Sequence, residues 1–298
     1  MRFKLNRWMN KFQAWKAGAR QTQQAVTAAT RMCPACRALI SAGAHECPYC
    51  GQRLQASGPV RRIARRAAPT IPVTGYLILA NLVMFIIEYA VSGTSILTNL
   101  FGHPSQAATM RLGESLPLAF VVGTHQYWRW ITACFLHEGL LHIGFNMWAL
   151  YDIGPLVESF YGGAKYLFFY LATGVFGYFV SSYFGNFSLG ASGAIFGILG
   201  VMIAYGVRRS HTAHGRELRS VAVRWAIYAL ILCFVIPGVD NFAHIGGLAS
   251  GFGLGMIVGD DPPLTEAQTR RWQAVGVVMV VIVAAAFYFM AMSPIRLG

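Results

Sequence analysis

Four side chains able to do chemistry stand in otherwise apolar stretches of this chain: Ser192, His244, His142 and Asn146. Ser192 sits in Gly190-Ala191-Ser192-Gly193-Ala194-Ile195-Phe196-Gly197, where glycines leave its hydroxyl uncrowded and let its backbone lie close to another helix or a substrate. Alone, such a serine reads as a packing residue that bonds back to the carbonyl four residues earlier. It becomes a nucleophile only if a base can take its proton. His244, in Ala243-His244-Ile245-Gly246-Gly247, is the candidate base. No carboxylate shares its layer, so the expected unit is a dyad. His142 and Asn146 are four residues apart and share one face of a helix. With the Ser192 amide they can stabilise the oxyanion that follows attack on a carbonyl.

A second constellation is Cys33-Pro34-Ala35-Cys36, then ten residues, then Cys47-Pro48-Tyr49-Cys50-Gly51. Two thiolate pairs on tight turns can point four sulfurs at one tetrahedral zinc, which a segment too small for a core needs in order to fold. Disulfides are the competing reading, disfavoured in a reducing compartment, and so is a redox pair, which lacks the surrounding strand-helix pattern. His45 is a further potential ligand, though four cysteines already fill the site. Cys134 and Cys233 lie in apolar surroundings and read as inert packing residues.

The elements that must position these groups are membrane helices. With 55% hydrophobic and 12% charged residues, the 298-residue chain reads as an all-α, polytopic membrane helix bundle carrying a small N-terminal zinc ribbon. Its net charge of +13 is topological, because 13 of 24 Lys and Arg fall before residue 70 against the single acid Glu46. Residues 1 to 30 form a basic amphipathic segment with Trp8, Phe12 and Trp15 at helical spacing, suited to an anionic membrane surface or to a solvated tail. It lacks a signal-peptide core, so no cleavage is expected. A ribbon-like module over 31 to 54 and a basic linker over 55 to 71, with Arg61, Arg62, Arg65 and Arg66, lead to the membrane.

Seven spans are predicted, at about 72 to 91, 140 to 157, 166 to 184, 190 to 207, 221 to 237, 242 to 258 and 272 to 292. The arginines before the first span set the N-terminus in the cytoplasm and, after seven crossings, the C-terminus outside. The loop 259 to 271 then falls on the cytoplasmic side. Residues 92 to 138 are too long for a turn and too broken to span; their Trp and Tyr content suggests the membrane interface, with Arg129 between Trp128 and Trp130 at headgroup level. Spans two, four and six run the same way, so the starts of all three share one level, and with them His142, Asn146, Ser192 and His244. Intramembrane histidine and asparagine are costly without partners or a wet cavity, so their clustering points to function. Glycines at four-residue spacing, Gly247, Gly251 and Gly255 with Gly193 and Gly197, let two of these helices approach closely.

Taken in order, His142-Ile143-Gly144-Phe145-Asn146, Gly190-Ala191-Ser192-Gly193 and Ala243-His244-Ile245-Gly246-Gly247, with Trp128-Arg129 ahead of them, resemble the rhomboid intramembrane serine proteases. The resemblance covers residues 72 to 258, a core of six helices, with 272 to 298 supplying a seventh. It implies Ser192 as nucleophile, His244 as general base, and His142 with Asn146 in the oxyanion hole. It also implies that the loop 92 to 138 packs sideways into the membrane and that the fifth span with residues 237 to 241 gates substrate access. The chain departs from the family's common pattern at Phe196, where tyrosine is frequent; the ring can still pack under His244 without the hydroxyl. The N-terminal module lies outside the common core. His137 reads as an interfacial or loop-packing residue, and Asp152 and Glu158 as structural.

The expected function is hydrolysis of a peptide bond in or near the transmembrane segment of single-pass membrane proteins, through an acyl-enzyme on Ser192. Catalysis is expected to need no cofactor; zinc is expected only as a structural ion on Cys33, Cys36, Cys47 and Cys50. The expected partners are membrane lipid and membrane-anchored substrates, with the ribbon's own partner open and nucleic acid disfavoured by the lack of stacking aromatics. The resemblance suggests a bacterial inner membrane. Two other readings stand: a non-catalytic receptor or transporter whose polar layer lines a path, though no inverted repeat is evident, and a membrane-anchored zinc-ribbon binding module.

Overall fold

The computed structural model describes residues 30–32, 39–41, 46–52, 72–94, 102–259 and 266–292. The chain divides into two units, Met1–Thr70 and Ile71–Gly298. The basic segment over 1 to 29, Cys33, Cys36, His45 and the linker arginines lie outside the described residues.

In the first unit, β1 (Thr30–Met32) pairs antiparallel with β2 (Leu39–Ser41), in the register Thr30↔Ser41 and Met32↔Leu39. Downstream, the Gly51 N–H donates to the Cys47 carbonyl at 2.9 Å and the Cys47 N–H donates to the Gln52 carbonyl at 3.0 Å. This closes a tight turn through the second cysteine pair. Gly51 makes the turn possible, since its φ of +67° lies in the left-handed region that a side chain disfavours. Cys47 is buried and Cys50 exposed on this turn.

The second unit is helical: α1 (Val73–Ser92), α2 (Gln106–Arg111), α3 (Leu118–Thr124), α4 (Arg129–Thr132), a 3₁₀ turn (Ala133–Phe135), α5 (Leu140–Tyr161), α6 (Gly163–Tyr183), α7 (Ser192–Arg208), α8 (Ala213–Val235), α9 (Asn241–Val258) and α10 (Glu266–Met292). The seven long helices coincide with the seven expected spans. Their ends move outward in places: α5 continues to Tyr161, α8 starts at Ala213 and α10 at Glu266. Among the described residues, four helical segments, Val73–Ser92, Gly215–Val235, Asn241–Val258 and Glu266–Met292, are long and apolar enough to cross a membrane on length and composition, and Ser192–Arg208 is a shorter apolar helix. α5 and α6 carry more polar residues, and many of these are turned inward: Asn146, Lys165, Thr173, Ser181 and Ser182 are all buried.

Local chemistry explains the helix ends. Glu158, expected to be structural, caps α1 from α5: its carboxylate accepts from the Val73 N–H at 2.8 Å, the Thr74 N–H at 3.0 Å and the Thr74 hydroxyl at 2.8 Å. Three donors at a helix N-terminus meet one acid, which also complements the helix dipole. Thr212 caps α8 by accepting from the Gly215 N–H, and Asp240 caps α9 by accepting from the Phe242 N–H.

α7 is the packing axis, its residues Ile195 to Met202 all buried between α6, α8 and α9. A Cβ at Gly247 would run into the Gly193 carbonyl, one at Gly251 into the Gly197 carbonyl, and one at Gly200 into the Leu248 carbonyl. The two helices therefore meet backbone to backbone, as the glycine spacing requires. α8 leans on α7 through its small buried residues Ala222 and Ala226 and turns Tyr228, Ile231, Phe234 and Val235 outward.

The connection between α1 and α5 corrects one expectation. Arg129 is not at the surface but fully buried. Its Nε donates to Gln126 Oε1 at 2.6 Å and its Nη1 to the Met110 and Glu114 carbonyls at 2.8 and 3.0 Å, while Trp128 lies 4.7 Å from the guanidinium. Three of the five guanidinium donors thus meet oxygens of this connection and stitch the loop together, and that use outweighs the gain from a headgroup. Burial pulls its pKa down to about 10, opposed by the Glu114 charge. Ser115 and Ser188 exchange two backbone bonds, at 2.9 and 3.0 Å, tying this connection to the segment that leads into α7.

Candidate active site

Ser192 is the first residue of α7, and the chain reaches it through Gly190, whose φ is +128°. A side chain at position 190 would be strained there and would also meet His142 Nε2 at 2.7 Å, so glycine is required twice over. The Gly190 N–H donates to the Ala133 carbonyl at 2.9 Å, which anchors the approach to the serine.

From α9, His244 brings Nε2 to 2.7 Å from Ser192 Oγ. The close backbone approach of α7 and α9 makes this bond possible, since neither a serine nor an imidazole is long. His244 is buried at 4% exposure and stacks on Phe196, with ring centroids 4.5 Å apart and planes 26° apart. The missing phenolic hydroxyl at Phe196 therefore leaves the stacking intact. For Nε2 to accept from the serine, the neutral ring must carry its proton on Nδ1, which is buried and has no hydrogen-bond partner among the described residues. Asp240 does not orient this ring by a hydrogen bond; its Oδ1 accepts from the Phe242 N–H at 3.0 Å and from Asn186 Nδ2 at 3.2 Å. Ser192 and His244, borne by two different helices, thus stand within hydrogen-bond distance of each other.

On α5, His142 Nδ1 accepts from the Glu138 N–H at 3.4 Å, a long bond that leaves the proton of a neutral ring on Nε2. That N–H faces the Gly190 backbone beside Ser192. Asn146, one turn further along α5, is buried, and its Nδ2 has no hydrogen-bond partner among the described residues. One of these donors, His142 Nε2, thus stands against the segment that carries a serine hydroxyl bonded to an imidazole, and Asn146 lies one turn further along the same helix. The layer can accept a carbonyl carbon at Ser192 and offer N–H groups to its oxygen.

His137 is fully buried and packs edge-on against His142, ring centroids 5.0 Å apart, while its backbone N–H donates to the Glu88 carboxylate at 3.0 Å. It is a packing residue, as the sequence suggests, and Glu88, the acid that mars the first apolar run, is its partner. Cys134 is buried with its Sγ donating to the Trp130 carbonyl at 3.3 Å; burial pushes the thiol's pKa well up, which fits an inert side chain. Sequence reasoning missed Tyr178. This fully buried tyrosine donates its hydroxyl to the Gly190 carbonyl. Nothing in an aromatic-rich run distinguishes it from its neighbours. Of the four cysteines, Cys47 and Cys50 share the turn described above and Cys33 and Cys36 lie outside the described residues. Among the described residues no group of three or more His, Cys, Asp or Glu is placed to hold a metal.

Residues 124–261 match the family described as Rhomboid domain, a stretch that holds His142, Asn146, Ser192 and His244. The chain is 36% identical over 157 residues to RHOMBOID-like protein 1 of Arabidopsis thaliana, covering 52% of this chain and 40% of that one. It is 32% identical over 170 residues to Rhomboid protease GluP of Bacillus subtilis, covering 57% and 32%, and 26% identical over 228 residues to Rhomboid-like protease 2 of Toxoplasma gondii, covering 74% and 80%. Against the first two, the chain spans less than half the length of the relative. These likenesses support the rhomboid family, and with the helices long and apolar enough to cross a membrane they support a multi-pass membrane protein.

Proposed function

We propose that the chain is an intramembrane serine endopeptidase that hydrolyses a peptide bond in or near the transmembrane segment of membrane-anchored proteins. The observation that carries this reading is the 2.7 Å bond between Ser192 Oγ and His244 Nε2, formed inside a helical bundle with His142 Nε2 against the Gly190 backbone two residues before the serine. Relatives whose names include protease lend it further support.

In this reading Ser192 Oγ attacks the scissile carbonyl carbon while His244 Nε2 takes its proton. The developing oxyanion accepts from His142 Nε2–H, Asn146 Nδ2–H and the Ser192 amide. When the intermediate collapses, the C–N bond breaks and the departing amine takes the proton from His244, leaving an ester on Ser192. Water, deprotonated by His244, then attacks the ester and returns the serine. Phe196 holds the base in plane throughout, in place of a carboxylate.

The substrate is a single-pass helix that unwinds locally, because helical carbonyls are engaged in hydrogen bonds, so small or helix-breaking residues mark the cleaved segment. The outward-facing half of α8 and residues 237 to 241 are the proposed access route. The distribution of arginines favours a cytoplasmic N-terminus, with the core over 72 to 258, the loop over 259 to 271 and a seventh helix ending outside; a bacterial inner membrane suits this arrangement. In the first unit, Cys33, Cys36, Cys47 and Cys50 form one structural zinc site of a small ribbon. The donor set fits the ion, and the glycine-terminated turn at Cys47 to Gly51, with a strand pair bracketing the first cysteine pair, is the backbone such a site uses.

Reconstituted in liposomes with a single-pass reporter substrate, the full chain is expected to cleave, and Ser192→Ala is expected to abolish cleavage while leaving the thermal midpoint unchanged. A fluorophosphonate should label Ser192 alone. Undiminished cleavage by the variant, or no labelling of folded protein, would return the polar layer to a receptor or transporter.

A further inference from the structure

We infer that Tyr178 is a positioning residue for Ser192, acting through the Gly190 carbonyl, an inference that rests on the hydrolase reading above. The segment leading into α7 is held at Ser188 by two backbone bonds to Ser115, and at Gly190 by its N–H donating to the Ala133 carbonyl at 2.9 Å. The Gly190 carbonyl is taken by the Tyr178 hydroxyl, which also lies 3.4 Å from the Ala133 carbonyl. Both ends of one residue are thus tied to one point on the 3₁₀ turn, and Tyr178 is the side chain that closes the tie.

Gly190 is where such a restraint matters. Its φ of +128° gives it freedom that other residues lack, its backbone lies against His142 Nε2, and Ser192 is two residues on. A peptide unit is planar and trans, so fixing the Gly190 carbonyl fixes the direction of the following N–H and the approach of the chain to the serine. The residue before the tyrosine adds a second constraint from the same helical turn. A Cβ at Gly177 would meet the Ala243 carbonyl at 2.6 Å and the Gly247 nitrogen at 3.3 Å, so α6 touches α9 directly beside His244. One turn of α6 therefore sets the serine through Tyr178 and abuts the histidine through Gly177. The phenol ring fills its buried site whether or not it carries a hydroxyl. The hydroxyl's own contribution is to the Gly190 peptide.

Tyr178→Phe in the full chain, in liposomes, separates this role from a purely structural one. kcat for the reporter substrate and the rate of fluorophosphonate labelling at Ser192, each per folded molecule, are expected to fall about tenfold, with KM within about twofold and little change in thermal midpoint. Wild-type kcat in the variant would overturn the inference. So would a loss confined to KM, a loss that tracks the folded fraction, or failure to fold, each of which makes the hydroxyl a stability or binding element. Ser192→Ala assayed in parallel keeps the two questions apart. If it still cleaves, the hydrolase reading fails; if it is inactive while Tyr178→Phe is fully active, only the role of Tyr178 fails.

Discussion

His142 shows how little is needed to turn a half-buried imidazole into a donor. A single backbone N–H, from Glu138, occupies Nδ1 and leaves Nε2–H facing the Gly190 backbone. Removing a donor aimed at an oxyanion acts on the transition state and spares ground-state binding. His142→Ala should therefore lower kcat about a hundredfold with KM little changed, whereas a KM effect alone would make it a substrate-binding residue. This residue, with Asn146, Ser192 and His244, was legible in the sequence because polar groups amid apolar runs are costly and stand out against them. Tyr178 was not, since a tyrosine's ring is at home in any membrane helix and its hydroxyl acquires meaning only once a loop places a carbonyl beside it. Glu158 and Glu88 were recognisable as odd, but their partners, the α1 N-terminus and the His137 N–H, are 84 and 49 residues away in the chain. Sequence spacing cannot reveal bonds of that range.

At the level of elements, the long helices follow from hydrophobic length and the glycine stripes from the need of α7 and α9 to meet closely. The connection between α1 and α5 was readable only as something irregular. Its order comes from side chains satisfying backbone groups at the ends of very short helices, and which carbonyl meets which donor is a tertiary matter. Arg129 and Glu114 are the centre of it. Glu114 is buried, and its carboxylate accepts from Thr109 Oγ1 and Gln106 Nε2, both at 2.8 Å. Burial raises its pKa; the two hydrogen bonds and the Arg129 charge oppose that without cancelling it. A raised folded-state pKa means that the native protein holds this proton more tightly than the unfolded chain. The resulting stabilisation is complete below the ordinary glutamate range and is lost as pH rises through the shifted value. Glu114→Gln keeps an acceptor for Thr109 and removes the titration. Its thermal midpoint should thus decline less than wild type as pH is raised from about 4 to neutrality. Parallel curves for the two proteins would show that Glu114 ionises in the fold at no cost.

Across the whole molecule, two kinds of stability coexist. The unit Ile71–Gly298 has a packed core built on α7, whereas Met1–Thr70 has too little apolar sequence around its cysteines to fold by burial. The sequence announces this division through its composition: cysteine pairs and arginines before residue 70, apolar runs after it. A small module without a core needs a cross-link, and the proposed four-thiolate zinc site would supply one. The two units then depend on different chemistry. The proposed dyad rests on a hydrogen bond between two helices of the second unit and uses none of the four cysteines. The purified chain should accordingly carry about one zinc, and Cys47→Ser with Cys50→Ser should lose it, as read by elemental analysis. The same variant should become sensitive to proteolysis before residue 70 while cleaving the reporter at the wild-type rate. Loss of cleavage together with the zinc would tie the ribbon to the hydrolase itself. Absence of zinc from the wild-type chain would instead leave the four thiols to the disulfide or redox alternatives, which a thiol titration under reducing and oxidising conditions distinguishes.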